Sequence, residues 1–420
     1  MDDQVIVSNS TIYSRIREET RLLVAPLSAE DMQVQTMPDV SPTKWHLAHT
    51  TWFWERFLLL PNLEGYREFN KEYNYLFNSY YEQVGERHPR PERGFLSRPS
   101  VDEVMAYRDH VDAGMASLLG ANPDSISPQI SDLVALGIAH EQQHQELLLT
   151  DIKHVLSRHP FAPAAYDRPA VDTGSAGEVH WQTFDGGIHR FGHTGDGFAF
   201  DNEGPSHEAI LTPFALASRP VTNAEYLAFI EDGGYRTATL WLSEGWGRVL
   251  EDNWTAPLYW QRDESAGWTE FTLHGRQALQ PDAPVTHLSY YEASAFAEWA
   301  GARLPEEREW ELAARTCPVE GNFVRPGETV HPRAGASGRG LQQMFGDVWE
   351  WTRSAYSAYP RYRPASGAVG EYNGKFMCGQ FVLRGGSCAT PRGHIRPTYR
   401  NFFPPDARWQ FSGVRLAKDI

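Results

Sequence analysis

The chain is poor in cysteine, with only Cys317, Cys378 and Cys388 among 420 residues. So few, and an odd number, do not make a disulfide framework, and a reducing cytoplasm is the expected compartment. No apolar run approaches the roughly 20 residues that span a bilayer. The opening residues, Met1 to Ser10, lack the basic and apolar regions of a signal peptide. Basic residues are also in deficit, 38 Lys and Arg against 54 Asp and Glu, for a formal charge of -16. Nucleic acid and anionic membranes both call for a basic face, so neither is expected as a main partner. The acids are scattered rather than run together, as on a solvated surface. Association into a homo-oligomer is left open.

Aromatic residues, by contrast, are plentiful: 13% of the chain, with 14 Trp. A chain of this length should hold two or three domains with ample core. Residues 1–165 read as helical. Thr11 to Leu23 is the first helix, and Ser41-Pro42 opens a second that runs toward Leu60. Ser100-Val101-Asp102-Glu103 is a capping box that starts a third, ending near Gly120. A fourth begins at Ser127-Pro128, an N-cap followed by a first-turn proline, and runs without proline through residue 157. Four amphipathic segments imply a four-helix bundle whose interior can host a metal. The stretch from Leu76 to Pro99 breaks the pattern, with Tyr80, Tyr81, Arg87, His88, Arg90, Arg93 and Arg98 among prolines and glycines. Such a basic, aromatic loop suits an anionic ligand. Residues 166–177 read as a linker. From 178 to 420, Gly, Trp and short strand-like pieces dominate, with helices only around Asn223 to Glu231 and Tyr290 to Ala300. The fold class is therefore α+β and multidomain.

The fourth helix carries the most informative stretch, His140-Glu141-Gln142-Gln143-His144. Four residues are slightly more than one turn, so both imidazoles leave the same face and can grip one metal ion. As a bare string, H-E-x-x-H suggests a zinc protease with the glutamate as general base. Glu141, however, lies about 100° around the helix from His140, which fits a structural acid better than a catalytic base. Zinc, iron and cobalt all accept imidazole, so the pair does not choose a metal. A third ligand is needed, and Trp45-His46-Leu47-Ala48-His49 offers His46 and His49 on the second helix.

Several phrases in the second half form one ordered pattern: Pro220-Val221-Thr222-Asn223-Ala224-Glu225-Tyr226, Ala302-Arg303-Leu304-Pro305-Glu306-Glu307-Arg308-Glu309-Trp310-Glu311, Phe345-Gly346-Asp347-Val348-Trp349-Glu350-Trp351, Arg384-Gly385-Gly386-Ser387 and Gly413-Val414-Arg415. They resemble the C-type-lectin-like fold of the formylglycine-generating enzymes, also called sulfatase-modifying factors. The chain departs from that family where its chemistry occurs. A pair of reactive cysteines is expected soon after the RGGS phrase, and only Cys388 is there, which reads as a buried structural thiol.

A helical metal-site bundle followed by such a domain resembles the ergothioneine-biosynthesis sulfoxide synthases, the hercynine oxygenase family, in which a DinB-like bundle is fused to the lectin-like domain. The Leu47-Ala48-His49 and His140-Glu141-Gln142-Gln143-His144 phrases carry the resemblance in the first half. It implies Fe(II) as cofactor, held by His49, His140 and His144. It implies small-molecule substrates: O2, hercynine (N-alpha-trimethylhistidine) and cysteine or gamma-glutamylcysteine, the Tyr80 to Pro99 segment looking like the cysteine-using subgroup. Gln143 would hydrogen-bond the substrate imidazole. Tyr80 and Tyr81 are candidate catalytic donors, with Tyr81 favoured. Arg87 and Arg90 would meet the co-substrate carboxylate. In Arg400-Asn401-Phe402-Phe403-Pro404, Asn401 would hold the betaine carboxylate while Phe402 and Phe403 face the quaternary ammonium, which cannot donate a hydrogen bond. The active site is expected between the domains. Three alternatives stay in view: a histidine-using, ovothiol-type synthase, weakened because no G-x-G-x-x-G opens a strand-helix unit for its usual methyltransferase; a zinc-dependent DinB-type hydrolase or thiol transferase; and a binding protein.

Overall fold

The computed structural model describes residues 8–120, 126–167, 174–195, 197–335, 338, 340–365 and 368–420. Residues 168–173 of the expected linker lie outside them. The chain divides into two compact units, Met1–His159 with Ser366–Glu371, and Pro160–Ala365 with Tyr372–Ile420.

The first unit is built on four long helices, Asn9–Val24, Thr43–Trp54, Val101–Gly120 and Pro128–Ser157. Their starts are written locally. The hydroxyls of Ser8 and Ser127 accept the amides of Thr11 and Ile130, satisfying donors that a helix start leaves unpaired. Ser100 and Glu103 close the expected capping box, each side chain taking the other's amide at 2.7 and 3.2 Å. Between the second and third helices, the basic loop is folded into short helical turns, including Tyr73–Phe77, Glu82–Val84 and Arg90–Phe95.

Every residue of the second helix is buried, and it packs against both the third and the fourth. It does not continue smoothly to Leu60, because Glu55–Leu59 form a π-turn before the last helical residues. Gly137 lets the second and fourth helices approach. A Cβ there would stand 2.5 Å from the Trp54 indole, so no larger residue fits without displacing that ring. One turn further along, the Glu141 carboxylate is the ionic centre of the bundle. It accepts from Arg17 at 3.1 Å, Arg108 at 3.2 Å, Thr20 at 2.9 Å and the Trp54 indole N–H at 2.8 Å. All four helices thus meet at one side chain. Burial alone would raise this carboxyl, but the two guanidiniums outweigh burial and bring it down to about 2.

The second unit is strand-rich and irregular. Trp349–Ala355 and Phe381–Arg384 run antiparallel at the middle of a four-stranded sheet, flanked by Asn401–Phe403 and, in parallel, Ser412–Gly413. Trp181–Phe184, Phe214–Ala217 and Ala417–Asp419 form a second sheet, with Phe214–Ala217 paired antiparallel to both of the others. Helices Asn223–Glu231 and Tyr290–Trp299 stand where the sequence places them. The expectation of no others is corrected by Ser243–Glu251 and Glu307–Ala314. Both are only two turns long, and the second is carried by tertiary ion pairs.

Those ion pairs explain the recurring phrases. Arg384 of the RGGS phrase bonds Glu307 at 2.9 Å and Glu311 at 3.2 Å, and Arg400 bonds Glu307 at 2.8 Å. Arg415 of the closing phrase meets Glu350 at 2.7 Å, and Trp310 donates to the same carboxylate at 2.6 Å. Four of the five motifs supply one side of a buried pair, and removing either side would strand a charge. Gly385 and Gly386 both have positive φ, and a Cβ on Gly385 would meet the Met344 carbonyl at 2.8 Å. Cys388 is 1% exposed, as expected of a structural thiol. Among the described residues, no helix is long and apolar enough to cross a membrane.

Replacing Glu141 by Ala leaves Arg17 and Arg108 buried with the shared partner gone, so the helical unit should lose about 3–5 kcal/mol. A urea titration of the full chain followed by helix ellipticity measures this. A midpoint unchanged from wild type would contradict the assignment of Glu141 as the ionic centre.

Candidate metal centre

The second and fourth helices each contribute histidines to one point. One ligand-capable nitrogen from each of His49, His140 and His144 lies within 4.8 Å of the others. The Nε2 atoms of His49 and His140 are 3.1 Å apart. Each ring is steered from behind. His49 Nδ1 donates to the Phe77 carbonyl at 2.6 Å, which leaves the Nε2 lone pair facing the cluster. Its ring is clamped between the indoles of Trp45, stacked at 4.6 Å, and Trp52, at 5.6 Å. Phe53 backs His140 at 4.5 Å. His144 Nδ1 is 2.8 Å from His46 Nδ1.

All three rings are held neutral. Burial, then the neighbouring His140, keeps His49 well below the ordinary histidine range. Burial lowers His140 to about 4, and burial with the neighbouring His49 and His140 keeps His144 well below 6.5. Three neutral imidazoles whose nitrogens converge can turn their lone pairs toward one cation. The donor set therefore fits a divalent transition metal.

Of the two histidines offered by the second helix, His49 joins the cluster. His46 turns behind His144 and reaches Asp151 with its other nitrogen. Glu141 faces away from the metal point, into the Arg17 and Arg108 pairs. Gln143, three residues after His140, is half-buried on the same helix.

The loop residues divide. Tyr81 is 4% exposed and packs on Trp52 at 5.7 Å, so one indole separates its ring from His49. Tyr80 accepts from Arg90 at 3.3 Å, and Arg90 also donates to the Asp39 carbonyl. Arg87 donates to the Ser79 carbonyl at 2.6 Å and pairs with Glu82 at 3.0 Å. A third arginine of the loop, not chosen from the sequence as a carboxylate anchor, packs on a ring that touches the ligands. Arg93 is 4% exposed, its guanidinium lies 3.3 Å over the Trp45 ring that stacks on His49, and it donates to the Ser41 hydroxyl at 2.9 Å. Its Nε has no partner among the described residues. Burial brings this guanidinium down to about 9, an unusual strain for arginine. The signal lay in the spacing: Arg90 and Arg93 are three apart, and in the 3-10 turn Arg90–Phe95 residues three apart share a side.

Asn401, Phe402 and Phe403 form a strand of the second unit, paired with Phe381–Leu383. The Asn401 side-chain oxygen accepts the Phe402 amide at 2.9 Å. Phe402 stacks on Tyr356 at 4.1 Å, and Phe403 meets Trp409 edge-on at 5.6 Å.

Comparison with known proteins agrees with both halves. The DinB superfamily model matches residues 12–148, and the sulfatase-modifying factor enzyme 1-like domain matches residues 182–335 and 322–420. The hercynine oxygenase of Mycolicibacterium thermoresistibile is 34% identical over 93% of this chain and 90% of its own. That of Mycobacterium tuberculosis is 32% identical over 97% of each. The formylglycine-generating enzyme of Streptomyces coelicolor is 30% identical, over 54% of this chain and 84% of that enzyme. With identity to two hercynine oxygenases running nearly end to end, and both domain types in the same order, the chain belongs to the hercynine oxygenase family, a family of oxidoreductases.

Proposed function

We propose that this chain is an Fe(II)- and O2-dependent sulfoxide synthase that joins the sulfur of cysteine to C2 of the hercynine imidazole, a step of ergothioneine biosynthesis. The reaction balances as thiol plus imidazole C–H plus O2 giving the aryl sulfoxide plus water. Sulfur and the ring carbon are oxidised, the S–H and C–H protons leave with one oxygen atom as water, and the other oxygen stays on sulfur. The observation that carries the reading is the neutral three-imidazole cluster in a family of oxygenases.

One feature argues against a zinc hydrolase. An enzyme of the H-E-x-x-H type needs its glutamate free to take a proton. Here Glu141 is held by two guanidiniums, Thr20 and Trp54. Bound at the cluster, Fe(II) supplies the one-electron steps that let O2 react with closed-shell substrates.

The remaining parts fall to the chain. Three neutral ligands bring no negative charge, so the cluster with its metal, beside the buried Arg93, favours an anionic partner such as a thiolate carrying a carboxylate. Arg87 and Arg90 are the proposed anchors of that carboxylate, Arg93 adding positive field from beneath. A guanidinium has five N–H donors, so the bonds to Ser79 and Glu82 do not exhaust Arg87. Gln143 is the proposed partner of the hercynine ring. Asn401 is proposed for its carboxylate, and Phe402 and Phe403 for its ammonium. Tyr81, with Tyr80 beside it, is proposed to hold the proton that the chemistry must move.

Incubation with Fe(II), O2, cysteine and hercynine, followed by mass spectrometry, should yield the sum of the two substrates less two hydrogens plus one oxygen. Product formed only when histidine replaces hercynine, or turnover with Zn(II) in the absence of O2, would sink the proposal. Parallel incubation with gamma-glutamylcysteine tests the donor, and cysteine is expected to be preferred. His49→Ala, His140→Ala and His144→Ala should each weaken Fe(II) binding more than about 100-fold, beyond the usual cost of losing a residue behind a ligand. Retained stoichiometric iron in any one of them would remove that residue from the set. Tyr81→Phe should lower sulfoxide yield about 100-fold and Tyr80→Phe far less; unchanged yield in both variants would discard the proton-donor role.

A further inference from the structure

Behind His144 runs a second, unassigned chain of side chains. His144 Nδ1 faces His46 Nδ1 at 2.8 Å, and His46 Nε2 faces the Asp151 Oδ2 at 3.0 Å. The same carboxylate oxygen accepts the Ser41 amide at 2.8 Å, and Thr150 donates to its other oxygen at 3.4 Å. His46 and Asp151 are 3% and 2% exposed, so no bulk water competes for these contacts. Asp151 follows His144 by seven residues, two turns of the same helix, which places both on one face. His46 precedes His49 by three on the helix opposite.

The proton positions in this chain are not independent. A carboxylate only accepts, so the His46 proton facing it must sit on Nε2. His46 Nδ1 is then a lone pair and must accept from His144, which puts the His144 proton on Nδ1. The lone pair of His144 is thereby left on Nε2, available to a metal. The Phe77 carbonyl does the same for His49 directly, and His140 Nδ1 has no partner among the described residues. Among the three ligands, His144 is thus the one whose tautomer hangs on a buried carboxylate two side chains away.

We propose that His46 and Asp151 are positioning residues that lock His144 into its metal-binding tautomer. This rests on the metal reading above but not on the identity of the reaction. The test uses Co(II) and Fe(II) alone. His46→Phe and Asp151→Ala should each weaken binding of both metals 10- to 100-fold and shift the Co(II) visible spectrum. Asp151→Asn should recover most of the loss, because an amide oxygen in the same place still takes both the Ser41 and the His46 N–H. In the metal-free full chain, nitrogen-15 NMR should show His144 protonated on Nδ1 in wild type and in Asp151→Asn, and a mixture of tautomers in Asp151→Ala, a change that a purely structural role would not produce. Wild-type His144 protonated on Nε2 overturns the proposal even where a variant fails to fold. So do unchanged affinity and an unchanged Co(II) spectrum in both disruptive variants. If no sulfoxide forms while the variants lose metal, the reaction assignment fails and the relay stands. Full sulfoxide yield with unaltered metal binding in both disruptive variants gives the opposite result.

Discussion

The crossing of the second and fourth helices is the constraint on which the metal centre depends. All three converging imidazoles stand on those two rods, and the rods are brought together by what is missing at Gly137 and what is present at Trp54. The contact is then pinned by charge. Glu141, fully buried, draws Arg17 from the first helix and Arg108 from the third, while its neighbour His140 points to the metal. Ion pairs of this kind add little net stability, since desolvating the charges offsets most of their attraction. What they contribute is register. A slide by one turn along the fourth helix would bury a carboxylate with no cation and two cations with no carboxylate, a penalty of several kcal/mol, so the packing has one low-energy alignment. In that alignment His140 and His144 face His49.

Charge also shapes the surroundings of the cluster. Arg93 is a buried cation with one neutral hydroxyl partner and an indole beneath it, and no carboxylate pairs with it among the described residues. Leaving a cation so poorly paired costs folding free energy, which is the pattern expected where a site is arranged for a negatively charged visitor. The aromatic residues have a matching part. Trp45 and Trp52 enclose His49, exclude water from its ring, and connect it to Arg93 on one side and Tyr81 on the other. The high tryptophan content therefore has a local meaning at the metal point as well as a packing one.

Much of the first unit was legible in the text because its signals are local. Ser100 and Ser127 mark helix starts within a residue or two, the first helix begins at Asn9, two residues before the Thr11 read for it, and the i, i+4 histidines define a face wherever the helix goes. The choice of His49 over His46 was not local. Both lie on one side of the second helix, and only the position of the fourth helix, with Asp151 waiting for His46, separates ligand from support. Arg93 was lost among four arginines of one loop because depth is a tertiary property. In the second unit the phrases were visible but their meaning was not. The helix Glu307–Ala314 is two turns long with little periodicity to read, and its carboxylates find Arg384 and Arg400 more than 70 residues away.

The pentapeptide on the fourth helix shows why a short motif underdetermines chemistry. In a metalloprotease reading, the residue after the first histidine must be a base whose proton affinity rises and falls through a catalytic cycle. Glu141 is arranged for the reverse. Two guanidiniums hold its carboxyl near 2, so at neutral pH it is ionised whatever happens at the metal. Protonating it would leave two buried guanidiniums without the charge that offsets them. A carboxylate so fixed cannot shuttle a proton to a leaving group, but it is well suited to hold a backbone still. The same letters on a helix can thus encode a catalyst or an anchor, and the deciding fact is whether cations from neighbouring elements reach the glutamate. Here they do, and the burden of proton movement passes to residues outside the motif.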